Sequence, residues 1–295
     1  MPGRTGVDVL GGAMSHGGRS VVVFSPRGGT GTTTLAIALA TWLAGLRPGH
    51  NSVALLDFHL PFGNLAAMLG LAPAFTLGGA DQHWTPADIG RVFTPTSLGC
   101  NVVASPNDPL VAESVTVLEC ASALAFASAH HDLMVVDIGS NLNEATLLAL
   151  ESATALVMVV NGDPQALPAA AAARATLGLL GIPVDDIVLV ANRVGSVHQL
   201  DSGTIGRALG HRAIYEVPDS PDVALAVKKG RSLMRDWPDH PWSVAVGRIG
   251  ELCLGNDVSG LPALPRDGRR SWLGRRTRRR GHQPIGPPTV AIGRP

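Results

Sequence analysis

A glycine-rich segment near the start of the chain has the composition of a phosphate-binding loop. Residues 26–34, PRGGTGTTT, lie between the apolar run SVVVFS and the helix-like stretch LAIALATWLAGL. Glycines let the backbone curl so that successive N–H groups and the N-terminus of the following helix point at one spot, where they hold an anion. The segment therefore predicts a strand, a loop and a helix that together bind phosphate groups.

The loop departs at two positions from the common phosphate-binding pattern GxxxxGK[ST]. Pro26 takes the place of the first glycine, and Thr32 takes the place of the lysine. The only lysines of the chain, Lys228 and Lys229, lie far downstream. The loop thus keeps its backbone N–H groups but has no lysine of its own to neutralise bound phosphate.

The surrounding pattern predicts the elements that position this loop. Short apolar runs alternate with longer Ala- and Leu-rich stretches, and runs that are apolar on both faces are typical of a parallel sheet covered by helices. We expect an α/β fold with a doubly wound, mostly parallel sheet and ligands at the carboxyl ends of its strands. The predicted strands are residues 20–25, 53–57, 101–104, 133–137, 155–160 and 187–191. The predicted helices are residues 32–46, 63–70, 109–128, 143–151, 164–180, 201–209, 220–229 and 241–254.

Composition divides the chain into three zones. Residues 1–18 are predicted to be a flexible leader, residues 19–255 one folded nucleotide-binding domain, and residues 256–295 a disordered basic tail. The tail holds 9 basic residues against 2 acidic ones, whereas residues 1–255 hold 14 against 21. Three scattered cysteines favour a reducing compartment, and no apolar stretch has the length of a membrane span. We therefore expect a cytoplasmic protein.

Five ordered segments resemble the MinD/ParA family of P-loop ATPases. RGGTGTTT is similar to the family's deviant P-loop KGGxGKT[ST], and VALLDFHLPFGNLAAMLGL to its second-strand segment. HDLMVVDIGSN is similar to its switch II strand, VANRV to its adenine-side motif, and EVPDSPDVALAVKKGRSL to its late Pro-Asp segment. The GTTT ending and DFHLPFG are closest to the CpaE/TadZ branch, polar localisation factors of Flp-type (tight adherence) pilus assembly. The resemblance covers residues 19–252 and implies a single-domain P-loop NTPase fold.

The resemblance also implies ATP and Mg²⁺ as cofactors. The Thr33 hydroxyl would reach Mg²⁺, and Asp137 would hold the ion through water, as a hard oxygen ligand suits this metal. Asn192 and Arg193 would flank the adenine. The full set of implied nucleotide-binding residues is Gly28, Gly29, Thr30, Gly31, Thr32, Thr33, Thr34, Asn192, Arg193, Pro218 and Asp219.

Two further positions carry the implied catalysis. Asp57 matches the first acid of the family's switch I pair, but His59 replaces the second, which orients the attacking water. Arg27 takes the place of the signature lysine that reaches the partner subunit's phosphates across a dimer, so that charge is kept but geometry is not. Loss of one electrostatic or orienting group costs on the order of 10²- to 10³-fold in rate. We expect a nucleotide binder with weak or absent turnover.

Three functions remain open at this point. The first is a nucleotide-gated homodimeric scaffold that recruits a pilus or secretion motor ATPase at the cytoplasmic face of the inner membrane or at the cell pole. The second is an active ATPase in septum placement or in chromosome or plasmid partition. The third is nucleic-acid binding through the eight arginines between Arg266 and Arg280. These arginines also suit an anionic membrane surface, or they only keep the chain in solution.

Overall fold

An eight-stranded sheet forms the centre of the part of the chain that the structure describes. The computed structural model describes residues 18–46, 52–78, 86–195, 199–211, 213–229 and 231–255. The strands are β1 (Arg19–Phe24), β2 (Val53–Asp57), β3 (Phe93–Pro95), β4 (Asn101–Val103), β5 (Leu133–Asp137), β6 (Ala155–Asn161), β7 (Val188–Val194) and β8 (Ile214–Pro218). Their order is β3-β4-β2-β5-β1-β6-β7-β8, and only β3 runs antiparallel to its neighbour. The predicted mostly parallel α/β sheet is confirmed.

Helices cover both faces of this sheet, as the apolar strands require. The helices are α1 (Thr32–Leu46), α2 (Leu65–Leu69), α3 (Pro86–Ile89), α4 (Pro109–Glu113), α5 (Val117–His130), α6 (Glu144–Glu151), α7 (Ala166–Leu179), α8 (Ser202–Leu209), α9 (Pro221–Lys228), α10 (Leu233–Asp236) and α11 (Pro241–Leu254). Val21 and Val23 point into a core shared with α1 and α11, whereas Val22 and Phe24 point into a core shared with α5 to α8.

The sheet has its topological switch point at β1. Val22 pairs in register with Val136 of β5 on one side and with Leu156 of β6 on the other. The chain leaves β1 toward β2 and β4, and it later continues from β6 to β8 on the opposite side. The loops that follow β1, β5 and β6 therefore meet at one edge, which is where ligands bind in open α/β sheets.

The prediction of one helix over residues 109–128 is wrong. The structure has α4 and α5 there, separated at Ser114 to Thr116. The Thr116 hydroxyl accepts a hydrogen bond from the Glu119 N–H, and the Glu119 carboxylate accepts one from the Thr116 N–H. This reciprocal pair starts a new helix, because it satisfies two N–H groups that a continuous helix would bond internally.

Two strands and two short helices were not predicted. β8 adds in parallel to β7, and the three-residue β3 closes the other edge of the sheet. Helices α3 and α10 have only four residues each. β3, α3 and α10 have only three or four residues, and β8, IYEVP, contains the exposed Glu216, so none of them forms a continuous apolar run. The zone predictions for residues 1–17 and 256–295 lie outside the described residues.

The three cysteines, Cys100, Cys120 and Cys253, are buried free thiols. Burial raises the pKa of Cys253 to about 12. Burial and the neighbouring Glu119 raise the pKa of Cys120 to about 12. Both therefore stay protonated. None of the described helices is both long and apolar enough to cross a membrane.

Close packing of α11 against α1 holds the last described helix in place. The indole of Trp42 lies in a notch formed by Gly247 and Gly250 of α11. A Cβ atom added at Gly250 would lie 2.4 Å from two atoms of that indole, and Trp42 is only 6% exposed, so the ring has little room to move. The Arg19 guanidinium donates a hydrogen bond to the Leu254 carbonyl at the end of the same helix.

We expect Gly250→Ala to destabilise the protein, although alanine favours helix. The steric cost of overpacking is about 1–3 kcal/mol, which exceeds the gain in helix propensity of about 1 kcal/mol. Gly178→Ala in α7 is the matched control, because its Cβ would make only an ordinary contact, 3.7 Å from Val184 Cγ1. Urea unfolding should show a lower midpoint for Gly250→Ala and an equal or higher one for Gly178→Ala. Equal midpoint changes in the two variants would contradict the claim that a Cβ at position 250 clashes with Trp42.

Candidate functional site

The loop between β1 and α1 has the backbone of an anion-binding turn. Gly29 and Gly31 have φ angles of 79° and 95°, a region that side chains with a Cβ seldom adopt. Beside Gly28 and Gly29 no atom of the described residues other than their chain neighbours lies within 4 Å of where a Cβ would be, whereas a Cβ at Gly31 would lie 2.4 Å from Asn192 Nδ2. Glycine is therefore required at 31 by its conformation and by this close neighbour, and the loop is open beside Gly28 and Gly29.

Helix α1 begins directly at this loop. Its first hydrogen bond runs from the Leu35 N–H to the Gly31 carbonyl, so the earlier N–H groups have no partner inside the helix. The first turn contains no acidic side chain that would repel an anion. Thr32, at the lysine position, is buried, and its hydroxyl lies 3.1 Å from the Thr30 hydroxyl. The loop thus offers backbone donors and a helix dipole, but no charge at position 32.

Asp137 ends β5 beside the loop and is completely buried. Its Oδ1 accepts a hydrogen bond from the Gly139 N–H at 3.2 Å, and its enclosed Oδ2 has no hydrogen-bond partner among the described residues. Burial raises the pKa of Asp137, while the Thr33 hydroxyl, the Gly139 N–H and the nearby His59 lower it. A buried oxygen without a hydrogen bond, beside a threonine hydroxyl, fits a hard cation such as Mg²⁺.

Asp57 ends β2 directly opposite Asp137 in the sheet register. Its carboxyl oxygens accept hydrogen bonds from the N–H groups of His59 and Leu65 and from the Ser105 hydroxyl, at 3.1–3.2 Å. Burial and the neighbouring Asp137 raise the pKa of Asp57 to about 7. The hydrogen bonds from His59 and Leu65 fix the segment from β2 to α2, and the one from Ser105 ties Asp57 to the residues that follow β4.

His59 lies against the loop that follows β5. A Cβ added at Gly139 would be 2.2 Å from His59 Cδ2, so the imidazole ring packs directly on the Gly139 backbone. The ring is also close enough to Asp137 to lower its pKa. His59 therefore stands beside the predicted metal-binding carboxylate, in the region where the family's water-orienting acid was expected.

Asn192 ties the end of β7 to the glycine loop. Its Nδ2 donates to the Thr30 carbonyl at 2.7 Å, and its Oδ1 accepts from the Arg193 N–H at 3.0 Å. Arg193 has a φ of 60° and an exposed side chain. Pro218 pairs with Val194 at the end of β8, and the Asp219 N–H donates to the Val194 carbonyl at 2.9 Å. The structure thus gathers the predicted adenine-side residues at the carboxyl ends of β7 and β8.

Arg27 forms an ion pair within its own subunit. Its Nη1 lies 2.7 Å from Oδ2 of Asp163, in the loop between β6 and α7, and the side chains are 41% and 34% exposed. Asp163 was not among the predicted site residues, and neither was Asn161, whose Oδ1 is buried without a hydrogen bond among the described residues. Asn161 directly follows the predicted strand 155–160, and Asp163 lies two residues later. Their position after a strand that ends at the site is the sequence feature that could have indicated them.

Comparison with known proteins agrees with this architecture. No protein-family model matches the chain. The sequence is 28% identical over 241 residues to an uncharacterized ATP-binding protein of Methanocaldococcus jannaschii, covering 80% of this chain and 88% of that protein. The structure of a ParA family ATPase from Chlorobium tepidum superposes with a TM-score of 0.69 at 19% identity, covering 80% of this chain and 98% of that one.

A second solved structure is similar over the same extent. The septum site-determining protein MinD of Pyrococcus horikoshii, complexed with Mg-ADP, superposes with a TM-score of 0.68 at 18% identity. The match covers 82% of this chain and 97% of that one. The chain therefore has the single-domain, mostly parallel α/β fold of the MinD/ParA P-loop ATPases.

Proposed function

We propose that the protein is an ATP-binding, nucleotide-gated dimeric scaffold with weak or no ATP hydrolysis. One observation carries the proposal: an open glycine loop and a helix N-terminus lie beside Asp137, whose Oδ2 is buried without a hydrogen bond. The ATP-binding relative from Methanocaldococcus jannaschii and the Mg-ADP complex of the Pyrococcus horikoshii MinD support this choice of ligand.

In this proposal the backbone does most of the nucleotide binding. N–H groups of residues 28–34 hold the phosphates, and Thr33 and Asp137 hold Mg²⁺, which neutralises charge on the phosphate oxygens. Asn192 keeps the loop in its binding shape through the Thr30 carbonyl. Arg193, Pro218 and Asp219 form the edge that receives the base. None of these contacts needs the missing lysine, so binding survives its loss.

Hydrolysis is weak because the groups that drive it are absent or already bound. Thr32 supplies a hydroxyl that contacts Thr30, where the ordinary loop supplies a positive charge. His59 is fixed against Gly139 where a carboxylate would orient water. Phosphoryl transfer depends on charge neutralisation and on positioning of the attacking group. Each defect lowers the rate by on the order of 10²- to 10³-fold.

Dimerisation in this proposal uses Arg27. A guanidinium bridges two phosphate oxygens of a partner subunit's nucleotide only after it leaves Asp163. Because both side chains are more than one third exposed, that ion pair contributes only about 0–1 kcal/mol. A nucleotide that binds the dimer better than the monomer shifts the population toward the dimer. The pair with Asp163 therefore opposes dimerisation weakly and is overcome when nucleotide is bound.

The scaffold role rests on the resemblance of the loop and switch segments to CpaE/TadZ proteins. In this role the dimer recruits a pilus or secretion motor ATPase at the cytoplasmic face of the inner membrane or at the cell pole. Arg266 to Arg280 lie outside the described residues, and for them we propose attachment to an anionic membrane surface. The alternative function is an active MinD/ParA-type ATPase in septum placement or partition, which Thr32 and His59 disfavour.

We expect the wild-type protein to bind MgATP with turnover near background. Thr32→Lys combined with His59→Asp should raise turnover by on the order of 10²-fold, because it restores a charge on the phosphates and a carboxylate beside the water. Calorimetry measures binding, and phosphate release measures turnover. Adding Asp137→Asn to the double variant is the control and should return turnover to background. Absence of MgATP binding, or fast wild-type turnover, would contradict the proposal.

Arg27→Ala should weaken the MgATP-dependent dimer, and Asp163→Asn should strengthen it by a factor of about two to five, since it releases the guanidinium. Sedimentation velocity with and without MgATP measures both effects. Asp185→Asn is the matched control, because it breaks an ion pair of the same type, at 2.6 Å, between Asp185 in the α7–β7 loop and Arg174 of α7. The trans role of Arg27 is wrong if Arg27→Ala dimerises as well as the wild type.

Deletion of residues 256–295 should leave MgATP binding unchanged, because every residue that we assign to the nucleotide and the metal lies between Arg27 and Asp219. It should abolish salt-sensitive attachment to vesicles that contain anionic lipid, since each basic residue near such a surface contributes about 1 kcal/mol. Vesicle flotation at low and high salt measures this attachment, and DNA binding is measured in parallel. Equal vesicle binding by the truncated protein would mean that residues 256–295 do not attach the protein to the membrane surface.

A further inference from the structure

The outward surface of two neighbouring helices combines apolar and acidic residues. Helices α5 and α6 pack against each other on one face of the sheet, and both bury residues in the same core. The exposed residues of α5, spaced as one face of a helix, are Leu118, Ser122, Ala125 and Ala129, and we call them the α5 stripe. The outward residues of α6 are Glu144, Leu147, Leu148 and Glu151, and together with the α5 stripe they form what we call the α5–α6 face.

The α5 stripe carries no charge. Leu118 is 74% exposed, and only two other large hydrophobic side chains of the described residues exceed 70%. The Ser122 hydroxyl donates to the Leu118 carbonyl at 2.7 Å, so it is already bonded within its own helix. Ala125 and Ala129 present only a methyl group each, which lets a second helix approach closely while Leu118 packs into its surface. The stripe therefore has the shape of a helix-packing surface.

The charge around this surface has one sign. Residues 92–173, all of which the structure describes, contain eight acidic residues and no lysine or arginine. Glu144 and Glu151 are exposed, and neither forms an ion pair with a described residue. They lie two turns apart on one side of α6, with Leu147 and Leu148 between them. An occupant must therefore bring apolar side chains to α5 and positive charge to α6.

This charge argues against three other occupants. Anionic lipid and nucleic acid are both bound through Lys and Arg, which this surface lacks. A second copy that used the same face would place glutamates against glutamates, and such like-charge contacts weaken association. A segment with an apolar side and a basic side has neither defect, and an amphipathic helix presents both sides at once.

We propose that the α5–α6 face binds a basic amphipathic helix of a partner protein, with its apolar side on the α5 stripe and its basic side chains at Glu144 and Glu151. Helix α5 has 14 residues and so offers a length of about 21 Å. The buried leucine supplies affinity, and the ion pairs set orientation and association rate. The face contains no residue that we assign to the nucleotide or the metal. The assays therefore use nucleotide-free protein, and MgATP binding is measured separately.

The first test compares three synthetic peptides of about 15 residues on the full-length protein. The Leu/Arg peptide has leucine on one side of a helix and arginine on the other. The Leu/Glu peptide has glutamate at each arginine position, and the Ala/Arg peptide has alanine at each leucine position. Calorimetry at about pH 8, where histidine is neutral, should give the Leu/Arg peptide a Kd of about 10–100 µM and the other two a Kd at least about tenfold higher. Equal binding of the Ala/Arg peptide would show general attraction of positive charge and overturn the proposal. Absence of Leu/Arg peptide binding at about 1 mM would also overturn it.

The second test changes the apolar part of the face. Ala125→Arg should abolish binding of the Leu/Arg peptide, because it places a bulky cation in the middle of the α5 stripe. Ala175→Arg, at an exposed alanine of α7, is the matched control and should bind as the wild type does. Leu118→Ala should weaken binding about tenfold through loss of buried apolar area. Urea unfolding verifies that each variant is folded. Unchanged peptide affinity in Ala125→Arg would show that the peptide binds elsewhere.

The third test changes the charge of the face. Glu151→Gln should weaken binding of the Leu/Arg peptide about two- to fivefold, since one rim ion pair is lost. Glu251→Gln, at an exposed glutamate of α11, is the matched control and changes the net charge of the protein by the same amount. Equal affinities of the two variants would overturn the assignment of the basic side chains to α6.

Discussion

The burial of two carboxyl groups side by side is the constraint on which the site depends. Asp57 and Asp137 are register partners at the ends of β2 and β5, and each is at most 1% exposed. Burial raises the pKa of both, and the charge of Asp137 adds to the effect on Asp57, whose pKa reaches about 7. Without a cation, the native state therefore holds a proton that the unfolded chain loses near pH 4. Stability from this source falls as pH rises from about 4 through 7.

The two buried carboxyl groups differ in their hydrogen-bond partners. Asp57 accepts hydrogen bonds from three donors, two in the β2–α2 segment and one, Ser105, after β4. Asp137 instead has one oxygen, near Thr33, with no hydrogen bond among the described residues. In the function proposed above, a divalent cation at Asp137 would offset the cost of its ionisation, and its binding would release a proton. The same cation would provide most of the charge that a phosphate needs, since Thr32 provides none. Such a site would favour holding a nucleotide over cleaving it.

How far the sequence predicts this structure depends on how local each determinant is. The loop from Gly28 to Thr34 and the strand ends at Asp57 and Asp137 lie in continuous patterns, and the structure brings these residues to one edge. The ion pair of Arg27 with Asp163 was missed, because the sequence of neither loop shows which distant charge it will contact. Ser105 was missed for the same reason, because it comes close to its partner Asp57 only when β4 pairs with β2. By contrast, the break before α5 was visible in Thr116 and Glu119, whose spacing is that of a capping box.

Helix α1 links the parts of the molecule that local patterns predict separately. Its first turn ends the phosphate loop, and Trp42 in its C-terminal half packs against Gly250 of α11. Nearly all of its 15 residues are therefore committed to a contact, which explains why the helix is apolar on almost every side. A nucleotide held at the first turn of α1 would therefore act on the same helix that packs against α11.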